Sequence, residues 1–424
     1  MLRDLLIYSL KILAQATLWH YKPIVVAITG SVGKTSAKEA IFAVLKTKFN
    51  VRKNYKNYNN EIGVPLSILN QETGGRSFWH WIRVFLAGIS GTIYSKNYPE
   101  ILILEMGADK IDDIAYLVSF VPCHVGVITA IGDIPVHVEF FQNADHVAQE
   151  KANLVKYLNK DGWAVLNFDD QRVAAMASKT KAKVFSYGFG EKADLRASNL
   201  EQRLEELNEA YLNFKVDYRG ANVPIRLKGI LGVHQVYPIL AAISVGLTFK
   251  MNLVEISQSL LNYQPPPGRL RLIKGIKNSW MIDDTYNASP SATLAALDVL
   301  SATQGRKIAV LGDMLELGSF CEEAHRQAGS KAAKIVDMLL AVGEYSIFIA
   351  DQAKKDGLAE EKILHFADSQ EAGRFLQDIV NEGDVILIKG SQSIRMEKIV
   401  KEIMVEPQRA EELLVRQDEE WLNR

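Results

Sequence analysis

Residues 24–45 constrain the fold more than any other stretch. They read IVVAITGSVGKTSAKEAIFAVL: an apolar run, a glycine-containing loop, then a lysine, a threonine and a helix-periodic segment. A short apolar run bounded by glycine reads as a buried strand, and the change of period after Gly33 marks a helix start. A strand that enters a helix through a tight glycine loop aims backbone N–H groups and the positive end of the helix at one point. That arrangement cradles phosphate. Gly30, Ser31, Val32, Gly33 and Ser36 are the candidate loop contacts, with Lys34 reaching the terminal phosphates and the Thr35 hydroxyl ligating Mg²⁺. ATP and Mg²⁺ are the expected cofactors. The general loop has a glycine where this chain has Ile28, so the form here is the shorter one, Thr29-Gly30 ahead of Gly33-Lys34-Thr35.

The rest of the chain repeats the strand–helix alternation. ILILEMG (101–107), HVGVITAI (124–131) and AVLNFDD (164–170) read as buried strands. Such alternation predicts an α/β fold with a mostly parallel, P-loop-type sheet in a central ATPase domain. Residues 195–228 differ: AYLNFKVDY and VPIRL alternate with period two and predict a small antiparallel hairpin. HQVYPILAAISVGLTF reads as helix, and Pro265-Pro266-Pro267-Gly268 cannot continue one. Beyond it WMIDDTY, KIAVLGDM, MLLAVG and DVILIKGS restart the alternation, predicting a Rossmann-like α/β C-terminal domain. The expected division is an N-terminal amphipathic helix at 1–22, a central ATP-binding domain at 23–266 and a C-terminal domain at 267–424. The last twenty or so residues read as a charged, solvated surface helix.

Composition narrows the class. Lys+Arg is 49 and Asp+Glu is 50, a balance that does not suggest a nucleic-acid partner. Two cysteines, Cys123 and Cys321, make neither a disulfide framework nor a four-thiolate zinc site, and a cytoplasmic setting is expected. In MLRDLLIYSLKILAQATLWH the positions Leu2, Leu5, Leu6, Leu10 and Leu13 recur at helical spacing, while Lys11 and Gln15 interrupt an apolar span. That pattern reads as a helix packed on the body, with peripheral membrane contact as the alternative. FWHWIRVFLAGISGTIY (78–94) reads as core or interdomain packing, the alternative being a patch that meets a membrane or a lipid-linked substrate.

The short phosphate loop resembles that of the Mur ligases and their folylpolyglutamate synthetase relatives. Further segments follow in the family's order: NYNNEIGVPLSIL (57–69), LEMGA (104–108), HVEFF (137–141), EKANL (150–154), DDTYNASP (283–290), LGDMLELG (311–318) with His325, and VILIKGSQSIRMEKIV (385–400). The last group looks most like the D-alanyl-D-alanine-adding type. The resemblance covers residues 24–400 and implies an ATP-dependent ligase of peptidoglycan synthesis. Such an enzyme joins a muropeptide-like carboxylate acceptor to an amino-acid or dipeptide amine through an acyl-phosphate. It implies Glu105 and His137 as ligands of a second Mg²⁺, with Thr35 serving the first, and a Lys151 converted by CO₂ into a metal-binding carbamate. With Lys34, these form the implied catalytic set. His234, Arg269, Asp284 and Asn287 are implied on the nucleotide side; Asn59, Asn60, Asp313, Glu316 and His325 on the substrate side. Carbamate formation needs the neutral amine, hence burial or a nearby cation.

Two departures from the family pattern bear on substrates. Little chain precedes the first strand, so the domain that holds a UDP-sugar is expected to be absent or reduced to one helix. Where the family reads His-Asn with a second Asn, this chain has Gln235 and Pro238. Other readings are therefore a Mur-like ligase with a folylpolyglutamate-like or lipid-linked acceptor, and a nucleotide-binding subunit without catalysis.

Overall fold

The computed structural model describes residues 2–55, 58–75, 77–132, 141 and 143–422. The chain divides into two compact units. One comprises residues 1–198, 215–225 and 236–260; the other comprises 199–214, 226–235 and 261–424.

The larger sheet has the order β2-β3-β1-β4-β5-β6-β7-β8-β9. Its strands are β1 (Ile24–Thr29), β2 (Val51–Lys53), β3 (Ile101–Glu105), β4 (Val125–Ile128), β5 (Trp163–Asn167), β6 (Lys183–Gly188), β7 (Leu195–Arg203), β8 (Tyr211–Tyr218) and β9 (Ala221–Lys228). From β2 across to β7 every pairing is parallel. The expected hairpin is β8–β9. Its two linking residues, Arg219 and Gly220, have φ of 48° and 83°, the left-handed pair that a tight hairpin turn requires.

Helices α1 (Leu2–Tyr21), α2 (Lys34–Leu45), α3 (Gly63–Leu69), α4 (Phe78–Tyr94), α5 (Asp113–Val118) and α6 (Ala144–Lys156) belong to the same unit. Helix Val236–Thr248 packs closely on α2 at Gly246, where an added Cβ would stand 3.0 Å from Val44 Cγ1. β1 is buried from Val25 onward because helices cover it, which is why it reads as a continuous apolar run.

The second sheet has the order β10-β11-β15-β12-β13-β14. Its members are β10 (Arg271–Lys274), β11 (Trp280–Asp284), β12 (Lys307–Gly312), β13 (Met338–Val342), β14 (Ile363–Phe366) and β15 (Val385–Lys389). Only β10 is antiparallel. Alternate residues feed two cores on the opposite faces. Ala309, Leu311, Val385 and Leu387 enter one, and Ile308, Val310, Ile386 and Ile388 the other. The expected α/β class, with a parallel-dominated first sheet and a Rossmann-like second one, is what the chain adopts.

Two expectations are corrected. The last residues do not form one solvated helix. They run as short turns, Pro407–Arg409, Ala410–Leu413 and Glu419–Leu422, with Ala410 and Leu414 buried in the second unit's core. The Arg416 side chain is only 5% exposed, because it answers the wholly buried Glu397. FWHWIRVFLAGISGTIY does form a helix, α4, but not a core one. Only Val84 and Gly88 are buried, and Trp79 is 75% exposed. Among the described residues, no helix is long and apolar enough to cross a membrane.

Candidate active site

The phosphate loop sits where the sequence places it. β1 ends at Thr29, the loop runs Gly30–Gly33, and α2 begins at Lys34. Gly30 has φ 143°, and a Cβ on it would come within 2.0 Å of Thr129 Oγ1, so the position admits only glycine. Gly33 caps α2 in the left-handed conformation. Ser31 N–H donates to Ala130 O, and Thr129 Oγ1 donates to Val32 O, so the tip of β4 holds the loop. Lys34 Nζ folds back to donate to Gly30 O at 2.8 Å and to Ser31 O at 3.4 Å. Ser36 is buried in the first turn of α2.

Glu105, at the tip of β3, is buried against the start of α2. Thr35 Oγ1 donates to its Oε1 at 3.3 Å, Asn59 Nδ2 donates to the same oxygen at 3.4 Å, and Lys38 Nζ lies 3.5 Å from Oε2. Asn54 fixes the backbone beneath it, accepting from Glu105 N–H and donating to Glu105 O. β1 and β3 are adjacent parallel strands, so both tips emerge on one edge of the sheet.

Lys151 lies on α6 and is 4% exposed. Burial is the largest cause of its lowered pKa and the Lys34 ammonium the second. Glu150, Asp109 and Asp113 oppose them, and the pKa falls to about 7. The two lysines are thus close enough to repel. Glu150 is not solvated either: it accepts from Asp112 N–H and Ile114 N–H and caps α5. This ties the start of α5 to the middle of α6 and keeps Glu150 from simply neutralising its neighbour.

Asn60 Oδ1 accepts from Ile62 N–H and Gly63 N–H and so caps α3, leaving Asn59 as the asparagine that faces Glu105. His137 lies outside the described residues.

In the second unit the remaining candidates form two neighbouring groups at the C-terminal tips of β11, β15 and β12, the edge where open α/β sheets bind ligands. In the first, Asp284 pairs with Lys389 Nζ at 2.6 Å in a buried ion pair, and Lys389 also donates to Asn287 O. Leu270 N–H donates to Asp284 Oδ1, and the Arg269 guanidinium lies 3.8 Å from the centre of the Tyr286 ring. His234 belongs to this electrostatic group. Burial lowers its pKa, Asp284 opposes the shift and Lys389 adds to it. Arg269 Nε and Gln235 Oε1 are buried polar atoms without a partner in the structure, while Gln235 Nε2 donates to Arg269 O.

In the second group Asp313 accepts from Ser346 N–H and Glu344 N–H, and His325 accepts from Met314 N–H while its other ring nitrogen bonds Cys321 O. Both side chains are consumed in shaping the loop after β12. Glu316, exposed and left-handed at φ 64°, is the member of this set at the surface.

Three contributors escaped the sequence reading. Lys38 stands one helical turn beyond Lys34, and that i,i+4 spacing was its signal. Lys389 ends an otherwise apolar strand, where a cation needs a partner. Asn54 carries no sequence signal.

The chain matches the Mur ligase middle domain at residues 28–80 and 87–246, and the Mur ligase glutamate ligase domain at residues 268–392. It is 29% identical to the UDP-N-acetylmuramoyl-tripeptide–D-alanyl-D-alanine ligase of Bacillus subtilis, over 94% of this chain and 80% of the relative. It is 30% identical to the Escherichia coli enzyme of the same name, over 89% and 76%. The crystal structure of the MurF ligase from Thermotoga maritima in complex with ADP superposes with a TM-score of 0.77 at 27% identity, covering 93% of this chain and 83% of that one.

Proposed function

This chain belongs to the Mur ligase family, and from that premise we propose that it is an ATP-dependent ligase adding D-alanyl-D-alanine to a muramoyl-peptide precursor of peptidoglycan. One observation carries the reading: Thr35 of the phosphate loop is bonded to Glu105 at the tip of the adjacent strand, and the buried Lys151 has its pKa lowered to about 7 by burial first and by the Lys34 ammonium second.

In this reading the ATP phosphates lie on the N–H groups of residues 30–36. Lys34 leaves its loop carbonyls and extends over the terminal phosphate. An acceptor carboxylate oxygen attacks the γ-phosphorus, the bond to ADP breaks, and an acyl-phosphate forms. The amine nitrogen then attacks the acyl carbon, phosphate leaves with one former carboxylate oxygen, and the nitrogen loses a proton. Little covalent chemistry falls to the protein; positioning and charge neutralisation are its work.

Mg²⁺ fits Thr35 Oγ1 and Glu105, two hard oxygen donors at the loop, and when bound would neutralise phosphate charge there. His137 is assigned to the same metal shell on resemblance. A neutral Lys151 amine attacks CO₂, its nitrogen releases one proton to solvent, and a carbamate anion results, converting a repulsion with Lys34 into an attraction. His234, Arg269, Asp284 and Asn287 are assigned to the nucleotide, with the orphaned Arg269 Nε and Gln235 Oε1 in support. Asn59 and Glu316 are assigned to substrate directly. Asn60, Asp313 and His325 act through the turns they hold.

The domain division proposed with this function is 1–22, 23–266 and 267–424. A cytoplasmic setting belongs to the reading, as does peripheral contact with a membrane. The exposed apolar helix α4 favours a second version in which the acceptor is lipid-linked.

Phosphate release from ATP is expected only when a muropeptide acceptor and D-alanyl-D-alanine are both present. Release that ignores every amine, or none with any acceptor, overturns the proposal. UDP-linked and lipid-linked acceptors run in parallel separate the two versions.

A further inference from the structure

Helices α1 and α4 lie side by side and run in parallel. Leu10 and Val84 share one small core, Leu13 meets Gly88, Thr17 Oγ1 bonds Thr92 Oγ1 at 2.7 Å, and the Tyr21 hydroxyl bonds Gly91 O. Those contacts, together with Leu66 and Leu69 of α3 beneath both helices in the same core, consume the inward face of each helix. The opposite faces carry apolar residues too. On α4 they are Trp79, Leu86, Ile89 and Ile93, spaced three, four or seven apart, with Trp79 75%, Leu86 63% and Ile93 57% exposed. On α1 they are Leu5, Tyr8, Ile12 and Trp19, at the same kind of spacing. Scattered exposed apolar residues need no explanation, but two adjacent helices each turning an apolar stripe to water do.

Charge says what covers them. Residues 77–98 contain Arg83 and Lys96 and no Asp or Glu, in a chain whose charges otherwise almost cancel. Residues 1–22 contain Arg3, Lys11 and Lys22 against one acid, Asp4. Arg3 is tied to Glu61, and Lys11 lies over the Tyr116 ring, which leaves Lys22, Arg83 and Lys96 as exposed cations. Lys22 and Lys96 follow the C-terminal ends of the two helices, where Ser95 N–H bonds the Tyr21 hydroxyl, and the exposed Trp19 and Tyr94 belong to those same last turns. Aromatic rings with lysines at one level of an apolar face match the boundary between headgroups and acyl chains. A second copy of this chain would set Arg83 and Lys96 against like charges, with no acid in α4 to answer them.

We propose that α1 and α4 form an interfacial membrane-docking face. It lies in the plane of a bilayer, with the apolar stripes at the acyl boundary and Lys22, Arg83 and Lys96 on anionic headgroups. The occupant is a lipid surface with negative charge. The inference deepens the peripheral contact included in the functional reading, and it is scored without turnover, so the two fail separately.

The test is flotation of the full chain with phosphatidylcholine vesicles, with and without phosphatidylglycerol, at low and high salt. The protein is expected to float with the anionic vesicles at low salt, to bind less at high salt, and to shift its tryptophan emission to the blue. The Trp79→Asp, Leu86→Asp double variant is expected to lose binding by about tenfold or more. It should retain the wild-type melting temperature. Wild-type protein that stays with the soluble fraction in every mixture overturns the proposal, as does a double variant that floats as well as wild type. A concentration-dependent dimer that the double variant dissolves assigns the face to a second copy instead.

Discussion

The proposed chemistry leans most on Lys151, and the burial of that lysine sets a pH dependence of stability. Its folded-state pKa is about 7, against 10.5 for a lysine free in water. Below pH 7 both folded and unfolded chains hold the proton, and the folded state carries the full cost of a buried ammonium. Between pH 7 and 10.5 the folded amine is neutral while the unfolded one stays charged, so the unfolded state binds more protons and stability rises with pH. In CO₂-free buffer, urea midpoints should therefore climb across that window in wild type and flatten in Lys151→Met. Lys34→Ala removes the cation assigned in the proposed function to the terminal phosphate, and turnover should drop by about 100-fold or more in a phosphate-release assay. Gly30→Ala sets a Cβ into Thr129 Oγ1. The free loop of the variant escapes the clash by leaving its phosphate-holding shape, and returning to that shape on binding costs about 2 kcal/mol, so nucleotide binding should weaken by roughly thirtyfold, measurable by titration calorimetry.

At the level of elements, the C-terminal segment acts as a brace rather than a surface helix. Glu397 is wholly buried on helix Glu397–Ile403 and receives Arg395 at 2.6 Å and Arg416 at 2.7 Å. Arg416 also donates to Thr285 O and Tyr286 O, the backbone of the loop that carries Asn287, while Arg395 donates to Trp421 O. Removing the shared carboxylate strands two guanidinium groups. Glu397→Ala should cost about 3 kcal/mol in urea unfolding. Arg416→Met, the milder change, should raise KM for ATP more than it lowers kcat, because it loosens the loop without touching the phosphate site.

The same segment shows where sequence reading stops. Charge runs usually mark solvated faces, and only the distant Glu397 makes this one a buried network. α4 failed for the converse reason. Its composition is that of a core helix, and whether a core exists beside it is a tertiary fact that no local pattern contains. β1, α2, β3 and β15 were legible because strand period, glycine loop and helix period all agree within each segment. The short strands β2, β10 and β14 were not, since three or four residues hold too little pattern.

For the whole molecule, the two sheets follow one rule: residues with chemistry stand at the C-terminal tips of parallel strands, and the apolar runs behind them fill cores on both faces. That rule made the phosphate loop, Glu105, Asp284 and Asp313 readable as strand-tip residues. It does not separate a residue that meets ligand from one that holds a turn. Asp313 and His325 proved to be engaged with backbone, and only coordinates distinguish that from substrate contact. The partnership of Asp284 with Lys389 spans 105 positions in the chain and becomes visible only once β11 and β15 are paired.

The central claim is that ATP activates a carboxylate as an acyl-phosphate before the amine attacks. It is tested most directly with an acceptor whose reacting carboxylate carries ¹⁸O, turned over with ATP and D-alanyl-D-alanine. The released phosphate is then examined by mass spectrometry. One labelled oxygen in each phosphate is the predicted result, because the oxygen that attacks the γ-phosphorus leaves with it. Phosphate free of label, formed alongside a labelled amide product, would contradict the account.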